Sequence, residues 1–217
     1  EIAPDACGDD GGGGQGEFGG DGGGGGVGGD GGGGIDPGCV PSLLGASESI
    51  PDECGVFVRF GSAGDGSKAS PTADLVAALA NVPSGRAVYV CGDDTFTGTL
   101  ALAGGASLFG GLACDGWTYA PAQRATLIGE RNVPTLSIVG PGATRVEDLL
   151  IQGAEASADG ASSIALMVDS AAVDIARCDI EARSASVGLA AEPYGAPATP
   201  GAAGIAGTLG CEDGTSN

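Results

Sequence analysis

The sequence predicts an all-β solenoid that follows a short helix and a glycine-rich tether. From Arg86 onward, β segments of four to eight residues alternate with glycine turns, and no long helix separates them. Residues 146–151 and 175–180 carry apolar side chains in the same columns, 29 positions apart. Short strands and a repeat of this length are typical of coils that stack on one another.

Residues 1–38 are expected to form a disordered tether. Glycine fills 18 of the 24 positions from 11 to 34, so this part has little to bury and a high entropic cost of ordering. A calcium-binding glycine repeat is the alternative, because aspartates punctuate the tract. Such a repeat needs a large apolar residue every nine positions, and Phe18 and Val27 supply only one such pair.

Residues 39–85 are predicted to be an N-terminal cap that contains a loop, a strand at 56–60 and a helix at 71–82. Ser70 is the expected N-cap and Pro71 the first helical residue. Apolar residues then recur at helical spacing on one face, and Pro83 and Gly85 end the helix.

Residues 86–217 are predicted to form the coils, with an irregular loop rich in Ala, Gly and Pro at 182–210. Cys211 would begin the next coil, so we expect the solenoid to be truncated and the protein to continue. The predicted strands are 87–91, 99–102, 106–110, 125–128, 135–139, 146–151, 164–168 and 173–180.

The seven widely spaced cysteines predict disulfides in an oxidising compartment, and the odd count leaves one cysteine over. Cys39 and Cys54 bracket a short loop that a disulfide would stiffen. Cys91 and Cys114 lie one coil apart, which brings them together and predicts a second disulfide. Cys178 falls in the same inward column as Leu149, so we interpret it as a small core residue.

Cys7 is the candidate lipid anchor. It follows the small residue Ala6 and precedes Gly8 and a flexible polar stretch, as at the mature end of a bacterial lipoprotein. The alternative is a tether cysteine that is free or paired elsewhere. The chain starts at Glu1 rather than Met, so we expect any signal peptide to lie upstream. No apolar run approaches the length of a membrane span.

Composition excludes several classes of function. The net charge of −20, with eight Lys and Arg, argues against nucleic acid as a partner. Histidine is absent, so neither a Ser-His-Asp triad nor a Cys-His nucleophile can form, and no zinc site is expected. We expect no cofactor, and we interpret the acidity as a means of solubility, with divalent-cation binding as the alternative.

The chain resembles secreted bacterial β-helix proteins of the pectin-lyase-like superfamily, and most of all a group of surface lipoproteins of unassigned function. The resemblance implies a right-handed parallel β-helix (solenoid) over about residues 39–185. The segments that carry it are the helix at 70–82 and the residues 54–58 (CGVFV), 87–91 (AVYVC), 108–114 (LFGGLAC), 116–119 (GWTY), 146–149 (VEDL) and 162–165 (SSIA).

The enzymes of this superfamily set the candidate site. Polygalacturonase-like members need Gly-His-Gly and Arg-Ile-Lys motifs, which are absent here, and Asp93-Asp94 is expected to be a turn. Pectate-lyase-like members use calcium-binding carboxylates and an arginine base on one sheet face. The candidates for these roles alternate with apolar residues, so we expect a solvated outward face. They are Arg145, Glu147, Asp148, Arg177 and Asp179.

Two functions remain open at this point. The first is a non-enzymatic secreted or surface-anchored protein that is structural, adhesive or polysaccharide-binding, located outside the cell or on the outer membrane surface. The alternative is the N-terminal part of a polysaccharide lyase or glycoside hydrolase whose catalytic coils lie beyond residue 217. Trp117 could stack on a sugar ring, but packing over the nearby disulfide is the simpler interpretation. We expect a monomer.

Overall fold

The computed structural model describes residues 34–45, 47–191, 195 and 200–204. Short 3₁₀ helices occupy Pro37–Cys39, Pro41–Leu43 and Asp52–Cys54. The remaining elements are β1 (Gly55–Val58), α1 (Leu75–Asn81), β2 (Ala87–Cys91), β3 (Thr95–Thr97), β4 (Leu100–Ala103), β5 (Ser107–Ala113), β6 (Thr118–Tyr119), β7 (Ala125–Ile128), β8 (Leu136–Val139), β9 (Ala143–Glu147), β10 (Leu149–Gln152), β11 (Leu166–Asp169), β12 (Ala172–Ala176) and β13 (Asp179–Glu181).

The strands form three sheets, whose strand pairs are parallel except for β5 with β6. Sheet A has the order β1-β2-β5-β9-β12, with β6 beside β5. Sheet B has the order β3-β7-β10-β13, and sheet C the order β4-β8-β11. From β2 onward the chain visits the sheets in the fixed rotation A, B, C, with β6 as the only addition in the described residues. We call one such passage a coil. The expected all-β class, built mainly of parallel strands, is confirmed.

The 29-residue repeat is present as a strand register. Val146 pairs with Ile175 in sheet A, and Ile151 pairs with Ile180 in sheet B. Because the inward-facing pairs join apolar residues, the apolar columns read from the sequence become continuous stacks of side chains.

Two predicted strands are each two strands. Residues 146–151 are divided at Asp148 (φ 56°), between β9 and β10, and residues 173–180 are divided at Arg177 (φ 54°), near the end of β12. A left-handed residue turns the chain sharply, so the residues on its two sides join different sheets. The apolar pattern continues through the corner because the apolar side chains of both strands point into the inner core. The alternation in the sequence therefore did not reveal the corner.

The helix begins later than predicted. Asp74, not Ser70, is the N-cap of α1, and its Oδ1 accepts a hydrogen bond from the Ala77 amide at 2.8 Å. The preceding residues stay extended because Thr72 donates its amide to Phe57 and accepts from the Arg59 amide. The helix buries Leu75, Ala78 and Leu79 in the interior between the sheets.

Sheet A separates two apolar cores. The inner core lies between the three sheets and includes Val88, Leu108 and Val146, each fully buried. The outer core lies on the other face of sheet A, where the described residues between 35 and 54 cover it, and includes Phe57, Tyr89, Phe109 and Trp117. Sheet A is therefore buried on both faces over much of its length, whereas the sequence analysis expected its outward face to be in contact with water.

Both predicted disulfides are present. Cys39 is bonded to Cys54 and Cys91 to Cys114, with Cα–Cα distances of 5.3 and 5.0 Å. Cys178 is a half-buried free thiol that packs against the inner core, in line with its interpretation as a core residue. Burial raises the pKa of this thiol, so it stays protonated at neutral pH. Cys7 and Cys211 lie outside the described residues, as does nearly all of the predicted tether.

The predicted loop at 182–210 is described in part. Residues 182–191 contain no strand and run along the loop between β10 and β11, where the Ala156 amide donates to Ser184 and the Gly160 amide to Val187. Among the described residues, no helix is both long enough and apolar enough to cross a bilayer.

Removal of the Cys39–Cys54 disulfide should lower the free energy of unfolding. The bond closes a separation of 15 residues, for which loop entropy gives about 3 kcal/mol. Urea titration of the Cys39→Ser/Cys54→Ser protein measures this. A difference below about 0.5 kcal/mol from the native protein would mean that the bond adds nothing beyond the packing of the segment.

The N-cap assignment has a matched pair of variants. Asp74→Ala should lower the free energy of unfolding by about 1 kcal/mol, because the Ala77 amide loses its acceptor. Ser70→Ala, at an exposed position, should change the free energy of unfolding by less than about 0.5 kcal/mol. Equal losses in thermal denaturation would contradict a helix that begins after Asp74.

Candidate functional site: a buried arginine–carboxylate cluster

The candidate site continues an aromatic column on the outer face of sheet A. Phe57, Tyr89, Phe109 and Glu147 occupy matching register positions on β1, β2, β5 and β9. The rings of the first two stack with centroids 5.1 Å apart, and those of Tyr89 and Phe109 lie 5.7 Å apart. A carboxylate therefore follows three aromatic rings in one buried column.

Glu147 is completely buried and is held by three donors. The Ser42 hydroxyl donates to its Oε2 at 2.7 Å, and Arg177 Nη2 donates to the same oxygen at 2.7 Å. Arg145 Nε donates to Oε1. Ser42 belongs to the N-terminal segment that covers sheet A, so this carboxylate ties the segment to the coils.

Asp148 forms a two-pronged ion pair with Arg177. The Arg177 Nε lies 2.7 Å from Oδ1 of Asp148, and Nη2 lies 2.9 Å from Oδ2. Asp148 is 1% exposed at the corner between β9 and β10. Gly111 makes room for it, because a Cβ there would lie 2.6 Å from the Asp148 Cβ, and its φ of +64° also favours glycine.

Arg177 is the shared cation of the cluster. It lies 29 residues after Asp148, at the equivalent corner of the next coil, and its guanidinium carbon is 5.9 Å from the centre of the Tyr119 ring. Hydrogen bonding to Asp148, together with the negative charge of Glu147, raises the Arg177 pKa above its usual value. Burial and then the Asp148 charge raise the pKa of Tyr119. Arg177 stays cationic and Tyr119 stays neutral at physiological pH.

Four of the five candidate residues therefore meet, and the fifth does not. Arg145 links the cluster to Asp174, with Nη1 3.3 Å from Oδ2. Asp179 lies apart and pairs with Arg124 at 2.8 Å on the outward side of sheet B. The expectation of a solvated outward face is wrong for Glu147 and Asp148.

The reason for this error is tertiary. Alternation correctly directs Glu147 away from the inner core, but the N-terminal segment covers that face of sheet A. A signal was available in the sequence, since the predicted cap had to lie against some apolar surface. Nothing in the local pattern indicated which face it would cover.

Trp117, Asp93 and Asp94, which the sequence analysis also considered, pack or form hydrogen bonds within the fold. Trp117 is 3% exposed, meets Phe57 edge-to-face at 4.9 Å and donates its indole N–H to Lys68 O at 3.2 Å. It therefore packs in the outer core and presents no face to a sugar. Asp93 adopts a φ of 61° in the expected turn, and Asp94 accepts the Phe60 amide at 2.7 Å.

Each carboxylate oxygen of Glu147 and Asp148 accepts at least one hydrogen bond. Two carboxylates face two guanidinium groups, and in the described part of the chain every buried side-chain polar atom has a hydrogen-bond partner. In the same residues, no three Asp, Glu or Cys side chains converge as metal ligands. An arrangement of this kind holds the four side chains to one another inside the protein.

A small cavity lies beside the cluster. It has a volume of about 240 Å³ and separates the N-terminal segment from sheet A, with Arg145 and Asp174 at one side. The opposite wall is apolar and consists of Ile35, Val40 and Leu43.

No protein-family model matches this sequence, and neither a curated protein nor a solved structure matches it.

Arg177→Ala should lower the free energy of unfolding by about 2 kcal/mol, because two buried carboxylates lose a shared donor. The loss should be smaller than for a fully buried ion pair, because the Arg177 side chain is half-exposed and water screens its charge in part. The matched control is Arg124→Ala, which breaks an ion pair between exposed residues and should cost less than about 0.5 kcal/mol. Urea denaturation of both variants decides this, and equal effects would mean that the cluster is no stronger than a surface ion pair.

Proposed function

We propose that this chain forms a right-handed parallel β-helix of a secreted or surface-anchored bacterial protein, and that it is a non-enzymatic protein with a structural, adhesive or polysaccharide-binding role. The fixed rotation through three parallel sheets supports the β-helix. Two disulfides support an oxidising compartment outside the cytoplasm. A lipid at Cys7 would attach the scaffold to a membrane surface.

The observation that carries the non-enzymatic proposal is that every oxygen of Glu147 and Asp148 accepts a hydrogen bond from within the protein. A glycoside hydrolase needs a carboxylic acid and a carboxylate that face the substrate on either side of the scissile bond. Here both carboxylates point into the protein, and Arg145, Arg177 and Ser42 already occupy their oxygens. Glu147 holds Ser42 of the N-terminal segment against sheet A, and Asp148 holds Arg177.

A polysaccharide or another cell-surface component is the proposed ligand. The outward side of sheet B is the described surface that suits a sugar chain, because hydroxyl and amide groups recur there along neighbouring strands. Thr95 pairs in register with Thr126, and Thr97 precedes Ile128 and Gln152 in its column. The threonines and Gln152 are exposed or half-exposed and can exchange hydrogen bonds with sugar hydroxyls, whereas Ile128 and Leu150 in the same columns offer apolar contact only.

The alternative is the N-terminal part of a polysaccharide lyase or glycoside hydrolase. The observation in its favour is that two arginines and two carboxylates do converge. On this hypothesis the cluster would have to open, and catalytic side chains of further coils would complete it.

The two hypotheses differ in binding and turnover. When the protein is incubated with a panel of plant and bacterial polysaccharides, it should co-sediment with at least one of them. No new reducing ends should appear, and no unsaturated products that absorb ultraviolet light should form. Thr95→Ala/Thr97→Ala should weaken the co-sedimentation, whereas Glu147→Gln should leave it unchanged at a temperature where the variant is folded. Product release that Glu147→Gln abolishes would overturn the scaffold and establish the enzyme.

A further inference from the structure

Three Asp-Gly pairs lie in the part of the chain that the structure describes, at residues 65–66, 115–116 and 159–160. Aspartate before glycine is prone to a rearrangement of the peptide bond, because glycine has no side chain that hinders the approach of its own nitrogen to the aspartate carboxyl. The reaction needs a glycine nitrogen that is free to move and a carboxyl that no neighbour holds. The three pairs differ in both respects.

Hydrogen bonds hold the glycine of two of these pairs. The Gly66 amide donates to Ser70 O at 2.9 Å, between β1 and α1. The Gly160 amide donates to Val187 O, also at 2.9 Å. In both pairs the nitrogen must first lose its acceptor before it can move toward the carboxyl, so local opening of the structure has to precede the reaction.

The third pair, Asp115-Gly116, lacks these restraints. The Gly116 amide donates to no described residue, and a Cβ at Gly116 would meet nothing within 4 Å. The Asp115 side chain is 97% exposed, and its ion pair with Arg59, at 3.7 Å, restrains the carboxyl little because both side chains are in contact with water. In contrast, Asp65 Oδ1 accepts a hydrogen bond from the Ser67 amide at 3.0 Å. Both reacting groups are therefore free at residues 115–116.

The turn that contains this pair is fixed on both sides. Cys114 precedes it and is held by a disulfide, and Trp117 follows it with a left-handed backbone (φ 55°). The turn also holds the N-terminal segment, since the Ile50 amide donates to Trp117 O at 3.2 Å and the Ser49 hydroxyl donates to Gly116 O. A longer backbone between the two fixed sides would have to move Trp117 and release these two contacts.

We propose that Asp115-Gly116 is a site of spontaneous isoaspartate formation, which loosens the N-terminal segment from sheet A as the protein ages. The Gly116 nitrogen forms a bond to the Asp115 Cγ, and one carboxylate oxygen leaves as water with the amide proton and a proton from solvent. Water then opens the resulting ring. Cleavage of the new bond restores aspartate, whereas cleavage between the nitrogen and the Asp115 backbone carbonyl carbon leaves the chain running through the side chain, one atom longer. This modification is independent of the proposed function.

Peptide mapping of the aged protein tests the proposal. The folded chain is kept in neutral buffer for weeks, and samples are reduced and digested with trypsin, with fresh protein as the zero point. Trypsin places the three pairs in separate peptides, 60–68, 87–124 and 146–177. Isoaspartate, located by electron-transfer fragmentation, should accumulate at Asp115 at least about fivefold faster than at Asp65 or Asp159, the factor that one hydrogen bond supplies in an equilibrium.

Two controls separate the effect of the fold from that of the sequence. In urea, with the disulfides reduced, the three pairs should rearrange at similar rates, because glycine follows each aspartate. Asp115→Glu keeps the charge but would have to close a larger ring, so it should give no such product. Fluorescence of Trp117, the sole tryptophan, should shift to longer wavelength as the native protein ages, and hydrogen exchange at Ile50 should quicken. Both should stay constant in Asp115→Glu.

Two results would overturn the proposal. If isoaspartate forms no faster at Asp115 than at Asp65 or Asp159 in the folded chain, the free amide and the exposed carboxyl do not select the site. If it does form faster at Asp115 while Trp117 fluorescence and hydrogen exchange at Ile50 stay unchanged, the turn absorbs the extra atom and the N-terminal segment remains in place.

Discussion

The stacking of apolar side chains in register between successive coils is the interaction on which the rest of this structure depends. Each coil contributes only short strands, which cannot bury an apolar face by themselves. Columns such as Leu108, Val146 and Ile175 become buried only when a coil lies on each side. This dependence explains why the middle coils have a fully buried interior, whereas Val168, Ile175 and Ile180 of the last described coil are 40% to 43% exposed.

The outer face of sheet A adds a second core, which an ordinary stack of coils does not need. The N-terminal segment covers three stacked aromatic rings and is fixed by the Cys39–Cys54 disulfide. Tyr89 donates its hydroxyl to Cys39 O at 2.7 Å, and Ser42 donates to Glu147. The arginine–carboxylate cluster is thus part of the seam between the segment and the coils. The arginines, the carboxylates and Ser42 hydrogen-bond to one another, which supports the proposed scaffold more than a catalytic centre.

The outward side of sheet B is the surface on which the proposed sugar contact rests. Threonine hydroxyls lie side by side on β3 and β7, and the Gln152 amide follows on β10. None of these side chains belongs to the arginine–carboxylate cluster, so the proposed binding surface and the contacts that hold the N-terminal segment lie in different parts of the chain.

The sequence by itself determined the all-β class, the 29-residue register and the two disulfides, because these depend on periodicity and spacing that are visible along the chain. The sequence did not predict the corners at Asp148 and Arg177, because a single residue with left-handed backbone leaves the alternation of apolar side chains intact. The helix start at Asp74 escaped it as well, because Thr72 is held in an extended form by its hydrogen bonds to Phe57 and Arg59. Only the tertiary structure decided that Glu147 and Asp148 are buried. The local pattern indicates which way the Glu147 side chain points. Whether that side chain is exposed or buried depends on Ser42 and its segment, about 105 residues away in the sequence.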